Sequence, residues 1–198
     1  MGSRRKGRKS KKQQEGSSNR WLAILIGGVV IVGLIGLGYL LFVNLRGPVP
    51  EEPIAGVVDH EHQERGHVEH EIEADDLPPV GGIHSPAWQN CGIYDEPISV
   101  ENAVHSLEHG AMWLTYQPEL PREDVEALRD HVRGEDYVLM SPYPGLRSPV
   151  VLTAWEVQLE LDSVDDERIA DFVDRYQVGP TTPELGATCQ DGVGTPIQ

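Results

Sequence analysis

The chain has 198 residues and a net charge of −16, and this charge is distributed very unevenly along the sequence. Residues 1–20 contain eight Lys or Arg and one acid, whereas the rest of the chain contains eight Arg and 31 acids. The length allows one domain of ordinary size and additional segments. A mainly acidic domain without a visible aromatic stacking surface repels nucleic acid, so we expect no nucleic-acid partner.

An uncharged apolar run of 23 residues, Trp21–Val43, follows the basic segment. As a helix it is long enough for a bilayer core, which needs about 20 residues. A cleaved signal peptide has an apolar region of only about 7–15 residues and then a small-residue cleavage site, which is missing here. Since basic residues stay on the cytoplasmic side, we expect a single-pass cell-membrane protein. Its parts are a disordered cytoplasmic tail at 1–20 that contacts anionic lipid headgroups, a transmembrane helix at 21–43 and an extracytoplasmic remainder.

Residues 44–76 are rich in Pro, Glu and His and are interpreted as an acidic, His-rich stalk. One short strand is predicted near 68–72, where apolar and polar residues alternate. A His/Glu-rich tract can hold metal loosely, but such a tract is more often a solvated spacer. Among its four histidines, His67 is the expected exception.

A folded extracytoplasmic domain is predicted at 77–198, where helix and strand patterns mix. The predicted elements are a helix from the N-cap Ser99 to His109, a strand at 111–116, a helix from Pro121 to Gly134, a strand at 137–140, a turn at 141–145, a strand at 149–155, an edge or half-buried strand at 157–161, and a last helix capped by Ser163 and Asp166. There is no strict βαβ rhythm. The pattern therefore predicts the α+β class, with a small antiparallel or mixed sheet and two to three helices, behind the N-terminal transmembrane helix.

The two cysteines, Cys91 and Cys189, both follow the apolar run. An even number of cysteines outside the cytoplasm favours one disulfide. Closing a loop of about a hundred residues is worth up to about 4–5 kcal/mol in the chain-entropy model. The alternative is that Cys91 is a soft metal ligand.

His105 and His109 are four residues apart on the first predicted helix and therefore share one face of it. Two imidazoles on one face can bind zinc, copper, iron or nickel. His84, in the preceding loop, is the expected third ligand. A fourth ligand is expected from His67, Glu108 or Met140. The alternative is that the pair only complements the helix dipole at the C-terminus.

The segment His105–His109 also matches H-x-x-E-H, in which the Glu is the general base beside a His-bound zinc. This indication of a hydrolase is weak because Gly110 ends the helix at once and no second helix supplies a carboxylate ligand. The sequence contains no G-x-S-x-G elbow and no glycine-rich phosphate loop. A non-enzymatic role is therefore favoured, with the enzyme class left open.

Five short segments carry a family resemblance. They are Gly66-His67-Val68, Pro78-Pro79 through Gly82-Ile83-His84, Trp88-Gln89-Asn90-Cys91-Gly92-Ile93-Tyr94, Ala103-Val104-His105-Ser106-Leu107-Glu108-His109-Gly110, and Ser141-Pro142-Tyr143-Pro144-Gly145-Leu146. Over about 65–189 the chain resembles DUF3105, a bacterial family of uncharacterised membrane-anchored proteins, although Val80-Gly81 stands where many relatives have Thr-Ser. The resemblance implies an extracytoplasmic domain behind an N-terminal anchor. The resemblance also singles out four histidines and one glutamate as positions that match the family's motifs: His67, His84, His105, Glu108 and His109.

Three hypotheses follow. The first is a metal-binding module for copper or zinc, whose ligands are His84, His105, His109 and, as a further candidate, His67. In this hypothesis Glu108 supports the ligands without binding the metal itself. The second is an interaction or structural domain that docks onto a membrane-protein complex through the rigid loop around Tyr143. The third is a metal-dependent hydrolase that uses Glu108.

Overall fold

The computed structural model of the protein describes residues 16–45, 52–69 and 76–197. The chain divides into two compact units, residues 1–48 and 49–198. The first unit contains helix α1, Gly16–Leu45, which includes the predicted transmembrane segment. Between Ile24 and Leu37 its large apolar side chains are more than half exposed. A search of the described residues found no helix with both the length and the apolar character needed to span a membrane. Most of the predicted cytoplasmic tail, 1–15, lies outside the described residues.

The second unit is an α+β domain with a mixed sheet, as predicted. Its helices are α2 (Val100–Glu108), α3 (Arg122–Val132) and α4 (Arg168–Tyr176). Its strands are β1 (Val58–Asp59), β2 (Gly66–His67), β3 (Ile83–His84), β4 (Gly92–Ile93), β5 (Met112–Tyr116), β6 (Val138–Pro142), β7 (Val150–Ala154) and β8 (Val157–Leu161). The long elements thus lie where the periodicity of the sequence predicted them, except that β6 continues through Pro142, two residues into the predicted turn at 141–145.

Six of these strands form one sheet in the order β1-β8-β7-β5-β6-β4. Strand β6 runs parallel to both β5 and β4, whereas the pairs β5–β7, β7–β8 and β8–β1 are antiparallel. Strands β2 and β3 form a separate parallel pair. The central strand β5 is buried along its whole length, so the sheet separates two hydrophobic layers.

Alternating side chains of β5 supply these two layers, because successive residues of a strand point to opposite faces. Met112 and Leu114 belong to the larger core, which α3 and α4 cover. Trp113 belongs to the second core, which α2 and the disulfide cover. Helix α2 therefore lies alone on its face of the sheet among the described helices of the domain, and it carries most of the predicted site residues.

Helix α2 begins and ends where the sequence predicted. The Ser99 hydroxyl accepts a hydrogen bond from the Asn102 backbone N–H at 3.3 Å, and His109 is the C-cap residue. Gly110 follows with φ of +102°, and an added Cβ there would lie 2.9 Å from Thr182 Cγ2. A side chain at this position would therefore meet both backbone strain and a steric clash, which fixes the helix end.

Two predicted elements need correction. Strand β8 is not an edge or half-buried strand, because it lies between β7 and β1 and buries Gln158, whose amide donates to the Pro78 carbonyl at 2.8 Å. The last helix begins only at Arg168, and no side chain caps it. The Asp166 carboxylate instead accepts hydrogen bonds from the Arg168 backbone and guanidinium, so it stabilises the turn before the helix.

Residues 52–69, which we call the strap, belong to the segment interpreted as a stalk. The structure places much of the strap on the folded unit: Ile54 is buried in the larger core, and Val58 and Asp59 pair with β8. Near the predicted strand at 68–72, the structure has strand β2 at Gly66–His67, and residues 70–72 lie outside the described part. Strands of two residues are too short to show periodicity, which is why the sequence did not predict these contacts.

The disulfide between Cys91 and Cys189 is confirmed. The distance between its two Cα atoms is 5.4 Å, which is normal for a disulfide. The two cysteines are 98 residues apart in the sequence. The bridge fastens the C-terminal segment to the second core. It also removes the alternative of Cys91 as a thiolate ligand, since the chain has no free cysteine.

Candidate metal centre

His84 occupies the innermost position of the site. Its side chain is completely buried, and its Nδ1 lies 2.8 Å from the Gly82 carbonyl oxygen. A carbonyl only accepts, so Nδ1 carries a proton, and in the neutral form of the ring Nε2 then carries a lone pair. Gly82 has φ of +103°, a conformation that glycine adopts readily. The local backbone therefore orients His84 and fixes its tautomer.

His105 approaches the same point from α2. It is 5% exposed, and its Nδ1 donates to the Ser85 carbonyl at 2.7 Å. Burial lowers the pKa of His105 from 6.5 to about 4; the Ser85 carbonyl acts in the opposite direction, and the neighbouring histidines lower it further. His105 is thus neutral at ordinary pH, with its Nε2 lone pair free to bind a metal.

Glu108 lies one turn later on α2 and is 3% exposed. Its Oε2 is 3.1 Å from His84 Nε2, but the two atoms do not have hydrogen-bond geometry, and His84 Nε2 is one of two buried side-chain polar atoms without a hydrogen-bond partner among the described residues. In the neutral form of the ring, the Nε2 lone pair of His84 faces a carboxylate oxygen in a buried position. Two electron-rich atoms in such a position require a cation or a proton between them.

His67 reaches the site from the strap. Strand β2 pairs with β3 so that His67 is the register partner of His84. Its ring centroid lies 5.0 Å from that of His84 and 4.9 Å from that of His105. His67 is exposed, whereas the other three residues of the group are buried. It therefore covers the solvent side of the site.

The ligand atoms of these four residues all lie within 4.8 Å of one another. In a tetrahedral zinc site with bonds of about 2.0–2.1 Å, ligand atoms stand about 3.4 Å apart. The group is therefore close to the size of a metal site: the longest distances between its ligand atoms need to shorten by about 1.4 Å to reach the tetrahedral value. We call His84, His105 and Glu108 the wall of the site.

Residues 67–191 match the sequence model of the family DUF3105, which is described as 'protein of unknown function (DUF3105)'. The chain belongs to the DUF3105 family. The matched region begins at His67 and contains all four residues of the group. No curated protein and no solved structure matches the chain.

His109 lies in the same DUF3105 region but outside this group. Its Nδ1 donates to the Thr188 carbonyl at 2.6 Å, and its Nε2 lies 3.7 Å from a Glu184 carboxylate oxygen. Its ring is 5.1 Å from that of Trp88. The rings of His105 and His109 do lie together, with centroids 4.6 Å apart. His109 is nevertheless not a member of the ligand group, because its two ring nitrogens face Thr188 and Glu184.

Glu108 had two alternative roles in the sequence analysis, fourth ligand or supporting residue. In the structure its carboxylate belongs to the group of atoms that could hold a metal ion, which favours the first role. The signal was present, since His105 and Glu108 are three residues apart and share a helix face. Met140, an alternative fourth ligand, packs instead in the larger core.

Two tryptophans border the candidate metal centre of the DUF3105 domain. Trp155 is 2% exposed, and its ring meets that of His84 edge-on at 6.1 Å. Trp88 lies against both His105 and His109. These rings exclude water from the wall, which strengthens electrostatic interactions inside it.

Proposed function

We propose that the protein is a membrane-anchored extracytoplasmic module that binds one divalent transition metal ion, zinc or copper. The ligands are His67, His84, His105 and Glu108. One observation carries the proposal: the Nε2 atom of buried His84 lies 3.1 Å from a Glu108 carboxylate oxygen without forming a hydrogen bond. A bound cation converts this unfavourable contact into two coordination bonds.

The donor set agrees with these metals. Three imidazoles and one carboxylate suit zinc and copper(II), whereas calcium and magnesium prefer oxygen ligands only. One carboxylate also leaves a divalent site with a net charge of only +1, which lowers the free-energy cost of burying the ion. The carbonyls that accept from Nδ1 of His84 and His105 orient both rings, as the hydrogen-bond partners of metal-bound imidazoles usually do.

The membrane location is part of the same proposal and is supported by the sequence. The uncharged run 21–43 lies within the 30-residue helix α1 and follows a basic segment. In this arrangement the acidic domain and its metal centre lie outside the cytoplasm. Anionic lipid headgroups are the proposed partners of the basic tail.

The two other hypotheses receive less support from the geometry. A docking loop needs an exposed aromatic ring, but Tyr143 is 4% exposed and packs against Trp113. A hydrolase needs Glu108 as a free base beside its ligands, but Glu108 lies among the ligand atoms. Metal binding without turnover is therefore the function that the site supports best.

The test is the metal content of the untagged full-length chain after incubation with zinc or copper and removal of loosely held ions, measured by plasma mass spectrometry. We expect about one equivalent in the unchanged protein and in His109→Ala, and none in His105→Ala. His60→Ala, an exposed strap residue outside the group, is the matched control and should keep its metal. Absence of metal from the unchanged protein, or equal loading of His105→Ala, would contradict the proposal.

A further inference from the structure

The four ligands of the proposed site come from two parts of the fold that differ in burial. The wall residues His84, His105 and Glu108 are 0%, 5% and 3% exposed and belong to β3 and α2. His67 is exposed and belongs to the strap. Only His67 is therefore directly accessible to an incoming donor atom.

Few contacts hold His67 in place. Strand β2 has two residues and pairs only with β3 among the described strands. The next residue, Val68, donates its backbone N–H to the His84 carbonyl at 2.8 Å. A two-stranded pair of this length is marginal in water, so its stability depends on what holds the strap on either side of it.

Glu156 provides an attachment upstream of His67. Its Oε1 accepts the Gln63 backbone N–H at 2.9 Å and lies 2.9 Å from His62 Nδ1. Its carbonyl accepts the His60 backbone N–H at 2.8 Å. Glu156 lies in the tight turn between β7 and β8 and has φ of +64°. This one turn residue therefore binds the strap through both its side chain and its backbone.

We infer that the strap is the exchange gate of the metal centre, with His67 as the ligand that leaves and Glu156 as the residue that positions it. This inference rests on the proposed metal binding. The step is a ligand substitution: the bond between the metal and a His67 ring nitrogen breaks, and a bond to an incoming imidazole or thiolate donor forms. No electron is transferred, and the wall keeps the ion until the acceptor has taken it. The site is then a transfer site and not a permanent structural one.

The test measures zinc release from the full-length chain in mild detergent after mixing with an excess of a chromogenic chelator. In the unchanged protein the rate should rise with chelator concentration, because the incoming donor enters on the exposed side. His67→Ala should still bind one equivalent of zinc but release it about tenfold faster or more, comparable to the loss of a supporting partner in other metal sites. His60→Ala should release zinc at the unchanged rate.

Glu156 is tested by a pair of variants that keep all four ligands. Glu156→Ala removes the oxygen that accepts from Gln63 and should accelerate release. Glu156→Gln keeps an acceptor oxygen at the same position and should restore a rate close to that of the unchanged protein. A merely structural role would instead lower the melting temperature of both variants without this difference in release.

The outcomes separate the two proposals. Failure of the unchanged protein to bind zinc would overturn the metal-binding function itself. Normal binding with an unchanged release rate in His67→Ala would overturn the gate alone. Complete loss of zinc from His67→Ala would also overturn the gate, because His67 would then be an indispensable ligand and not an exchangeable one.

Discussion

The wall and the strap bring ligands to the same point by different means. The wall is part of the folded core: α2 has a defined N-cap and C-cap, and the carbonyls of Gly82 and Ser85 fix the tautomers of His84 and His105. The strap contributes one exposed histidine on a two-residue strand. The difference teaches that, in the proposed function, holding a metal and admitting it belong to separate parts of the chain.

The largest expected effect comes from Glu108→Gln, which alters the wall without changing its shape. Metal affinity should fall by more than about 100-fold, beyond the range for supporting residues, because an amide is a poor ligand for zinc. The metal-free protein should become about 1 kcal/mol more stable, because the amide removes the carboxylate charge beside His84 Nε2 and, after a small rotation of the side chain, can donate a hydrogen bond to this atom. Titration calorimetry and denaturant unfolding in a chelator measure the two quantities.

The opposite result for Glu108→Gln would change the interpretation of the wall. If the metal-free protein lost stability, His84 and Glu108 would form a buried ion pair that needs no metal. The matched control is Glu126→Gln, an exposed carboxylate on α3 that pairs with Arg133. It should leave the free energy of unfolding nearly unchanged, because solvent screens an exposed ion pair, and it should leave metal binding intact.

The disulfide is expected to have the next largest effect, and on stability only. Replacing Cys91 and Cys189 by Ala should lower the free energy of unfolding by about 2–5 kcal/mol. The variant should still bind one equivalent of zinc wherever it remains folded, because residues 82–85 and not the C-terminal segment orient the wall histidines. Loss of zinc from a variant with an unchanged circular dichroism spectrum would show that the bridge also shapes the site.

Hydrogen exchange should distinguish the strap from the wall directly. Without metal, backbone amides of the strap should exchange faster than those of α2 and β5, because short exposed pairings open locally at low free-energy cost. Added zinc should slow exchange most at Gly66–Val68, where the ligand is recruited, as measured by mass spectrometry of peptic peptides. Equal protection of both regions in the metal-free protein would contradict the division into wall and strap.

The smallest effect concerns pH. Because the pKa of His105 is lowered to about 4 when folded, the unfolded chain binds more protons than the folded one between about pH 4 and 6.5. The stability of the metal-free protein that comes from neutral His105 is therefore present above about pH 6.5 and is lost as pH falls toward 4. The ionisable groups around it are His67, His84, His109 and Glu108.

The measurement is denaturant unfolding at pH 7 and pH 5 in a chelator that remains effective at both. His105→Gln, which cannot take up this proton, should lose less stability over the same interval. An equal loss in both proteins would assign the pH dependence to other groups.

The α+β class and the long elements could be predicted from sequence because they depend on local patterns. Ser99 and Gly110 mark the two ends of α2, and the alternation in 111–116 predicts β5. Strand β1 could not be predicted in this way, since Val58 and Asp59 pair with residues about 100 positions later. Two residues contain no periodicity from which such a partner could be found.

The candidate site shows the same division. Helical spacing predicted that His105 and His109 would be ligands, and their position in the sequence made His84 and His67 the further candidates. The family resemblance pointed to the same residues. Spacing alone could not predict that His109 turns toward Thr188, because that carbonyl is 79 residues away in sequence. Tertiary contacts therefore decided which of two equivalent helical positions joined the ligand group.

X-ray absorption at the metal edge of the zinc- or copper-loaded full-length chain tests the metal centre most directly. We predict a first shell of nitrogen and oxygen atoms at about 2.0–2.1 Å for zinc, with multiple scattering from three imidazoles and no sulfur. In His67→Ala one imidazole should disappear from this shell while the others remain. A shell of water oxygens without imidazole, or an unchanged number of imidazoles in His67→Ala, would contradict the account.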